Sequence, residues 1–262
     1  MPFFFEGKVV KVVEDYTYLG VVFNFDGSFK KAIAHQKAVG QRALQALYSK
    51  IRILSLDVDT SLELFQRCVM PILLYGSEIW AFDKTNVKTL EVFYRRFLKQ
   101  LLGLYKYTPT CMVLGESGQP KLADLANTRQ ISFWAKLSND HVARLSKHVL
   151  PLITSLQGSP IQSGSEKCFT FKWLANVRHN LDSVGMSYAH LLPSPTPASQ
   201  LISEFKQRLA DSNIQLWNQS VWENEVCSNY RMYKSAPNLS TYLVKLPSRQ
   251  RTSLCRFRCR CR

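Results

Sequence analysis

What this sequence lacks narrows its function first. Nowhere in its 262 residues do two aspartates stand side by side, and a two-metal nucleotide polymerase depends on clustered carboxylates to hold its magnesium ions. No glycine-rich loop ends in Gly-Lys-Ser or Gly-Lys-Thr, so nucleotide hydrolysis at a phosphate loop has no support. The five histidines, His35, His141, His148, His179 and His190, are dispersed. None belongs to a His-Glu-x-x-His pair or neighbours a Gly-x-Ser-x-Gly elbow, and none is assigned a catalytic role. Long apolar runs are missing too: the most apolar, Val69 to Tyr75, is short and contains Pro71, whereas a membrane-spanning helix takes about 20 such residues. The apolar start Met1 to Phe5 is interrupted by Glu6 and has no basic lead, unlike a signal peptide. Seven cysteines, an odd number scattered at Cys68, Cys111, Cys168 and Cys227 before a terminal trio, do not form a secreted disulfide framework. A soluble protein in a reduced intracellular setting, nuclear or cytoplasmic, is the expectation.

Acidic residues are scarce as well. Against 34 lysines and arginines stand 19 aspartates and glutamates, a formal net charge of +15, which attracts polyanions through a field that salt weakens. Seven of the cations, Lys245, Arg249, Arg251, Arg256, Arg258, Arg260 and Arg262, occupy the last 18 residues with no acid among them. A tail of this kind is read as a solvated segment that assists binding. With 46% hydrophobic residues, the chain can bury a core in one or two domains.

Strand-type composition opens the chain, in the runs Val9 to Val13 and Tyr16 to Phe23, and stops at the Asp26-Gly27 turn. Helical spacing dominates afterwards. Ser28 is placed to cap a helix with Ile33, Leu44, Leu47, Ile51 and Leu54 inward and Lys30, Lys31, Lys37, Arg42 and Lys50 outward. Thr60-Ser61-Leu62-Glu63 reads as a capping box ahead of Leu62, Phe65, Val69, Ile72 and Leu73, with a kink or break at Pro71. Thr85 to Leu102 is the clearest helix: Val87, Leu90, Phe93, Phe97, Leu98 and Leu101 form a stripe, Gly103 supplies a C-cap, and Arg95, Arg96 and Lys99 lie off the stripe. Further helices are expected over Leu122 to Leu137, Phe171 to Val184 and Ser199 to Glu225, with Leu201, Phe205, Leu209, Leu216, Trp217 and Val221 inward in the last. Ser155 to Lys167 and the prolines Pro193, Pro195 and Pro197 mark breaks.

The remaining constellations favour plain structural roles. Asp57-x-Asp59 stands directly before a helix start, and Glu14-Asp15 suits a turn between strands. Cys255-x-x-x-Cys259-x-Cys261 offers three thiolates, but no second, separated ligand element follows, so no metal site and no cofactor is assigned.

The segment Tyr16-Thr17-Tyr18-Leu19-Gly20-Val21-Val22-Phe23, followed by Asp26-Gly27, resembles the block that closes the palm of LINE-type (non-LTR) retrotransposon reverse transcriptases. Three more blocks stand in that family's order: Val69-Met70-Pro71-Ile72-Leu73-Leu74-Tyr75-Gly76-Ser77-Glu78-Ile79-Trp80, Phe97-Leu98-Lys99 running into Leu102-Gly103, and Gly115-Glu116-Ser117-Gly118. The similarity extends from about Phe3 to about Leu137 and returns weakly around Trp173 and Gly185. The family's endonuclease, fingers, palm carboxylates and terminal Cys/His knuckle have no counterpart in this chain.

The resemblance implies a mainly α protein with a short N-terminal β-hairpin and a thumb-like helical bundle. The expected division is a hairpin over 1–27, a thumb-like domain over 28–150, a linker over 151–168, a helical region over 169–225 and a basic tail over 226–262. It further implies a primer-side role for Tyr18, Leu19 and Gly20. RNA, DNA or an RNA–DNA hybrid would be gripped by Lys30, Lys31, Lys37, Arg42, Arg95, Arg96 and Lys99, with Arg256 and Arg258 assisting. On this reading the chain is a non-catalytic fragment derived from an RNA-directed DNA polymerase, able to bind the missing palm domain. The alternative is a helical protein-interaction module in which Trp80, Trp134, Trp173, Trp217 and Trp222 build a docking surface or a core.

Overall fold

The structure, a computed structural model, describes residues 3–139, 146–157, 171–191 and 197–259. Every named strand among the described residues lies before residue 25, and helices make up most of the chain beyond it. Strands β1 (Phe3–Phe5) and β2 (Lys8–Val10) pair antiparallel, and so do β3 (Asp15–Tyr18) and β4 (Val21–Asn24). The run from Tyr16 to Phe23 is therefore a hairpin in itself, and the start of the chain holds two hairpins in succession. It doubles back because Leu19 and Gly20 both take positive φ, 48° and 80°. That combination closes a two-residue turn whose twist matches the flanking strands.

Helix α1 (Lys30–Ile53) starts without the expected cap: Phe29 holds the N-cap position with no side-chain bond, and the Ser28 amide donates to Asp26 instead, at 2.7 Å. Helix α2 (Val58–Cys68) starts ahead of Thr60 because Asp57 caps it, its carboxylate accepting the Thr60 amide at 2.8 Å and hydroxyl at 2.9 Å. These bonds favour the ionised form and hold the Asp57 pKa below the usual carboxylate value. Pro71 cannot donate within a continuing helix. The chain accordingly breaks between α2 and the single turn α3 (Met70–Leu73), followed by α4 (Ser77–Trp80). Next come α5 (Lys84–Leu101), capped by the Asp83 carboxylate, α6 (Thr110–Ser117), α7 (Leu122–Asn139), α8 (Ser146–Leu156), α9 (Lys172–Ser183) and α10 (Tyr188–Leu191). The long α11 (Ala198–Glu223) leads through a 3-10 turn to α12 (Tyr230–Tyr233), α13 (Tyr242–Lys245) and α14 (Ser248–Arg258).

Two apolar cores result. The first gathers α1 to α6 around Phe65, whose ring stacks on Phe97 with centroids 3.9 Å apart and on Tyr94 at 5.6 Å. The second joins Ile131, Trp134, Leu174, Val177, Leu181, Leu201 and Phe205. Helices α7 and α11 belong to both, since Ala126, Trp217 and Val221 lie in the first core and Trp134 and Phe205 in the second. The expected boundary between residues 150 and 169 therefore does not separate two packing units. Most of the expected linker, 158–168, and the break at Pro193 and Pro195 fall outside the described residues, whereas Pro197 is the N-cap of α11.

The segment after residue 225 also departs from the solvated tail read from its charge. Cys227, Tyr230, Leu243, Cys255 and Cys259 are buried in the first core, so α14 is anchored through Cys255 and its C-cap Cys259 with arginines around them. Cys261, Arg260 and Arg262 fall outside the described residues. Leu216, expected inward, is 47% exposed, whereas its neighbour Trp217 is buried as expected.

Candidate nucleic-acid interface

The apolar positions of α5 recur every three or four residues, and Val87, Leu90, Tyr94, Phe97 and Leu98 are buried as that spacing requires. Arg95, Arg96 and Lys99 consequently project from the other side. Together with Val92, Gln100, Leu104 and Lys106 they line a cleft of about 460 Å³. Four cations and no carboxylate face this cleft.

The cleft is held in shape by its own side chains. Arg95 donates from Nη1 to the Thr110 hydroxyl at 3.0 Å, and Lys99 donates from Nζ to the Lys106 carbonyl at 2.6 Å. The second bond ties the end of α5 to the loop before α6, which turns on a Thr108 amide to Tyr105 carbonyl bond of 3.1 Å. Two tyrosines stand on that loop, Tyr105 at 46% and Tyr107 at 83% exposure. The Lys106 ammonium lies 4.7 Å from the centre of the Tyr107 ring, and the Arg256 guanidinium 4.9 Å from that of Tyr105. Lys106 and the two tyrosines escaped the sequence analysis because they sit in a loop, where no periodicity assigns a face; only their alternation of aromatic and cation was there to be read.

The other expected contacts are distributed differently. Lys30, Lys37 and Arg42 are exposed on α1. Lys31 is engaged with Asp15 at 2.5 Å, a bond that raises the lysine pKa and lowers that of the carboxyl. Arg256 donates from Nε to the Gly103 carbonyl at 2.7 Å while remaining at the surface. Arg258 is a correction: its guanidinium turns inward and donates from Nε and Nη2 to one oxygen of Glu116, at 3.2 and 3.0 Å. Glu116 is fully buried, and an arginine is what its carboxylate requires there.

The hairpin tip is also held. The Tyr75 hydroxyl donates to the Leu19 carbonyl at 2.5 Å, and a Cβ on Gly20 would lie 3.4 Å from the Tyr75 ring. The Tyr75 carbonyl in turn accepts from Gln36 Nε2 at 2.6 Å and Trp80 Nε1 at 2.9 Å. Tyr18 and Leu19 stay 56% and 73% exposed, so strand packing does not account for them.

A second concavity, about 570 Å³, lies between α6 and α11 and is lined by Leu114, Ile214, Leu216, Trp217 and Pro237 among others. Its carboxylate, Asp124, accepts from Asn213 at 3.0 Å, and burial pushes its pKa up. This groove is apolar where the first is cationic. Of the five tryptophans, Trp80, Trp134 and Trp217 are buried, Trp173 packs against the second core and Trp222 alone is largely exposed, so they do not form a shared docking surface.

Among the described residues no group of three or more histidine, cysteine or carboxylate side chains is placed to hold a metal ion, and no helix is long and apolar enough to cross a membrane. Compared with known protein families, with curated proteins and with solved structures, the chain matches none.

Proposed function

We propose that this chain binds nucleic acid through its phosphate backbone, as a non-catalytic thumb-type part of a reverse transcriptase of the LINE kind. The cleft formed by Arg95, Arg96, Lys99 and Lys106 carries the proposal, because four cations converge there without a carboxylate. Such a site favours phosphates of any sequence, since its arginines and lysines offer donors alone and the amide in its lining, Gln100, has its carbonyl oxygen engaged by the Tyr48 hydroxyl at 2.9 Å. The resembling blocks add support in that two of them touch, the Leu19-Gly20 turn leaning on Tyr75, and the other two, at Gly103 and Glu116, each receive an arginine from α14. The palm carboxylates are missing from the sequence, so primer extension is assigned to no residue here.

The test neutralises Arg96→Gln together with Lys106→Gln, two side chains that hydrogen-bond no described residue. Affinity for an RNA–DNA hybrid should fall about equally for unrelated sequences, and the salt slope should flatten by about one unit per lost phosphate contact. Unchanged affinity and slope would remove the cleft from the proposal. The apolar groove beside Trp217 supports a second reading, a helical protein-interaction module, whose partner would be held with little dependence on salt.

A further inference from the structure

Resting on that backbone-binding reading, we infer that the cleft and the Tyr105–Tyr107 loop form a site for an unpaired strand, with phosphates against the cations and a base stacked on the Tyr107 ring. Three observations lead there. The cleft is a recess of about 460 Å³, within the roughly 300–1,000 Å³ of pockets that enclose a small ligand, and a recess accommodates a single sugar-phosphate better than the broad convex side of a duplex. Leu104 and Lys106 of the loop line one side of the cleft, and the Lys99 bond to the Lys106 carbonyl holds the loop backbone against the cationic end of α5, with Tyr107 next in the chain. Lastly, Tyr107 is 83% exposed, and the one ring contact it makes among the described residues is with the Lys106 ammonium at 4.7 Å.

An exposed ring beside phosphate-binding cations serves a nucleic acid only if a base can lay its face on it. In a duplex those faces are covered by neighbouring pairs, whereas an unpaired strand offers them freely and every base has one. The site would thus prefer single strands without preferring a sequence. Each ring has a cation over one face, but Tyr105 is 46% exposed against 83% for Tyr107, and the Arg256 guanidinium over it is itself tied to the Gly103 carbonyl. Tyr105 braces the loop, and Tyr107 makes the contact.

The experiment measures binding of the full chain to a labelled single-stranded RNA of mixed sequence, to the same strand with its bases removed, and to the matching duplex. Tyr107→Leu should lower affinity for the intact strand about tenfold, the effect of one lost stacking contact, and leave the abasic strand and the duplex unchanged. Tyr107→Phe should bind as the parent does. Since Tyr107 lies at the surface, the thermal unfolding of both variants should match the parent's, which separates a binding effect from misfolding. Equal loss on all three ligands, or no loss on the intact strand, overturns the stacking site. If the Arg96→Gln, Lys106→Gln protein has weakened binding while Tyr107→Leu has not, the stacking inference fails and backbone binding stands. If the parent binds none of the ligands, both fall.

Discussion

Glu116 and Arg258 show at the scale of single residues where sequence reading stops. Glu116 belongs to a Gly-Glu-Ser-Gly block that stands out in the sequence, and Arg258 to a basic segment that reads as solvent-facing. They are 142 positions apart, and no local spacing encodes their meeting. In the fold the Glu116 carboxylate also accepts from the Tyr242 hydroxyl at 2.7 Å, and its carbonyl accepts from the Ser240 amide at 3.1 Å. One buried residue therefore collects two segments of the C-terminal region, the turn holding Ser240 and Tyr242 and the helix α14. Arg258→Ala should lower unfolding stability by about 3 kcal/mol, read by urea denaturation, because it leaves a buried charge without its partner. Adding Glu116→Gln to that variant should recover part of the loss, since most of the cost lies in the uncompensated carboxylate. Equal stability of Arg258→Ala and the parent would mean that the pair does not hold the region.

Among the elements, those with strong periodicity were legible and those set by a turn or a break were legible in kind. The α5 stripe and its Gly103 C-cap lie where the apolar spacing puts them, and Gly103 takes φ +68° as a left-handed cap requires. The interruption at Pro71 follows from its missing amide. Ser28 misled because α1 begins one residue later than a serine cap needs, with Phe29 at the N-cap, while Ser28 belongs to the turn in which its amide donates to Asp26. The turn after Tyr18 was hidden because leucine is a poor residue for positive φ: a left-handed leucine costs about 1 kcal/mol or more, and here the Tyr75 hydroxyl on its carbonyl helps to hold it. Leu19→Asn should relieve that strain, since asparagine followed by glycine suits this turn. Amide protection across β3 and β4 in hydrogen exchange should rise accordingly, and Tyr75→Phe should lower it, each by about 1 kcal/mol of opening free energy. A loss of protection in Leu19→Asn would show that the leucine side chain stabilises the tip in some other way.

On the scale of the whole molecule, fold class was legible and division was not. Composition separates strands before residue 28 from helices after it, and the structure has that arrangement. Boundaries were read from serine, glycine and proline content, which marks where a chain is irregular but says nothing about which core a helix joins. Helices α7 and α11 each serve both cores, and α14 packs on the first core although it lies at the far end of the sequence. Removing residues from Ser248 onward should therefore shift the urea midpoint downward and expose apolar surface to a hydrophobic dye. Lys245→Gln with Arg249→Gln, at exposed positions, should change stability by no more than about 0.5 kcal/mol. A truncated chain with the parent's midpoint would mean that α14 rests on the fold without contributing to it. The bond from Arg256 to the Gly103 carbonyl joins positions 153 residues apart, and this has a consequence in time. At about 5–20 residues per second of synthesis, roughly 8–30 s pass between the appearance of Gly103 and that of the arginine that reaches it. During that interval Glu116 waits without its counter-ion and the first core lacks its last wall, so the nascent chain is longest at risk of aggregation just before α14 leaves the ribosome.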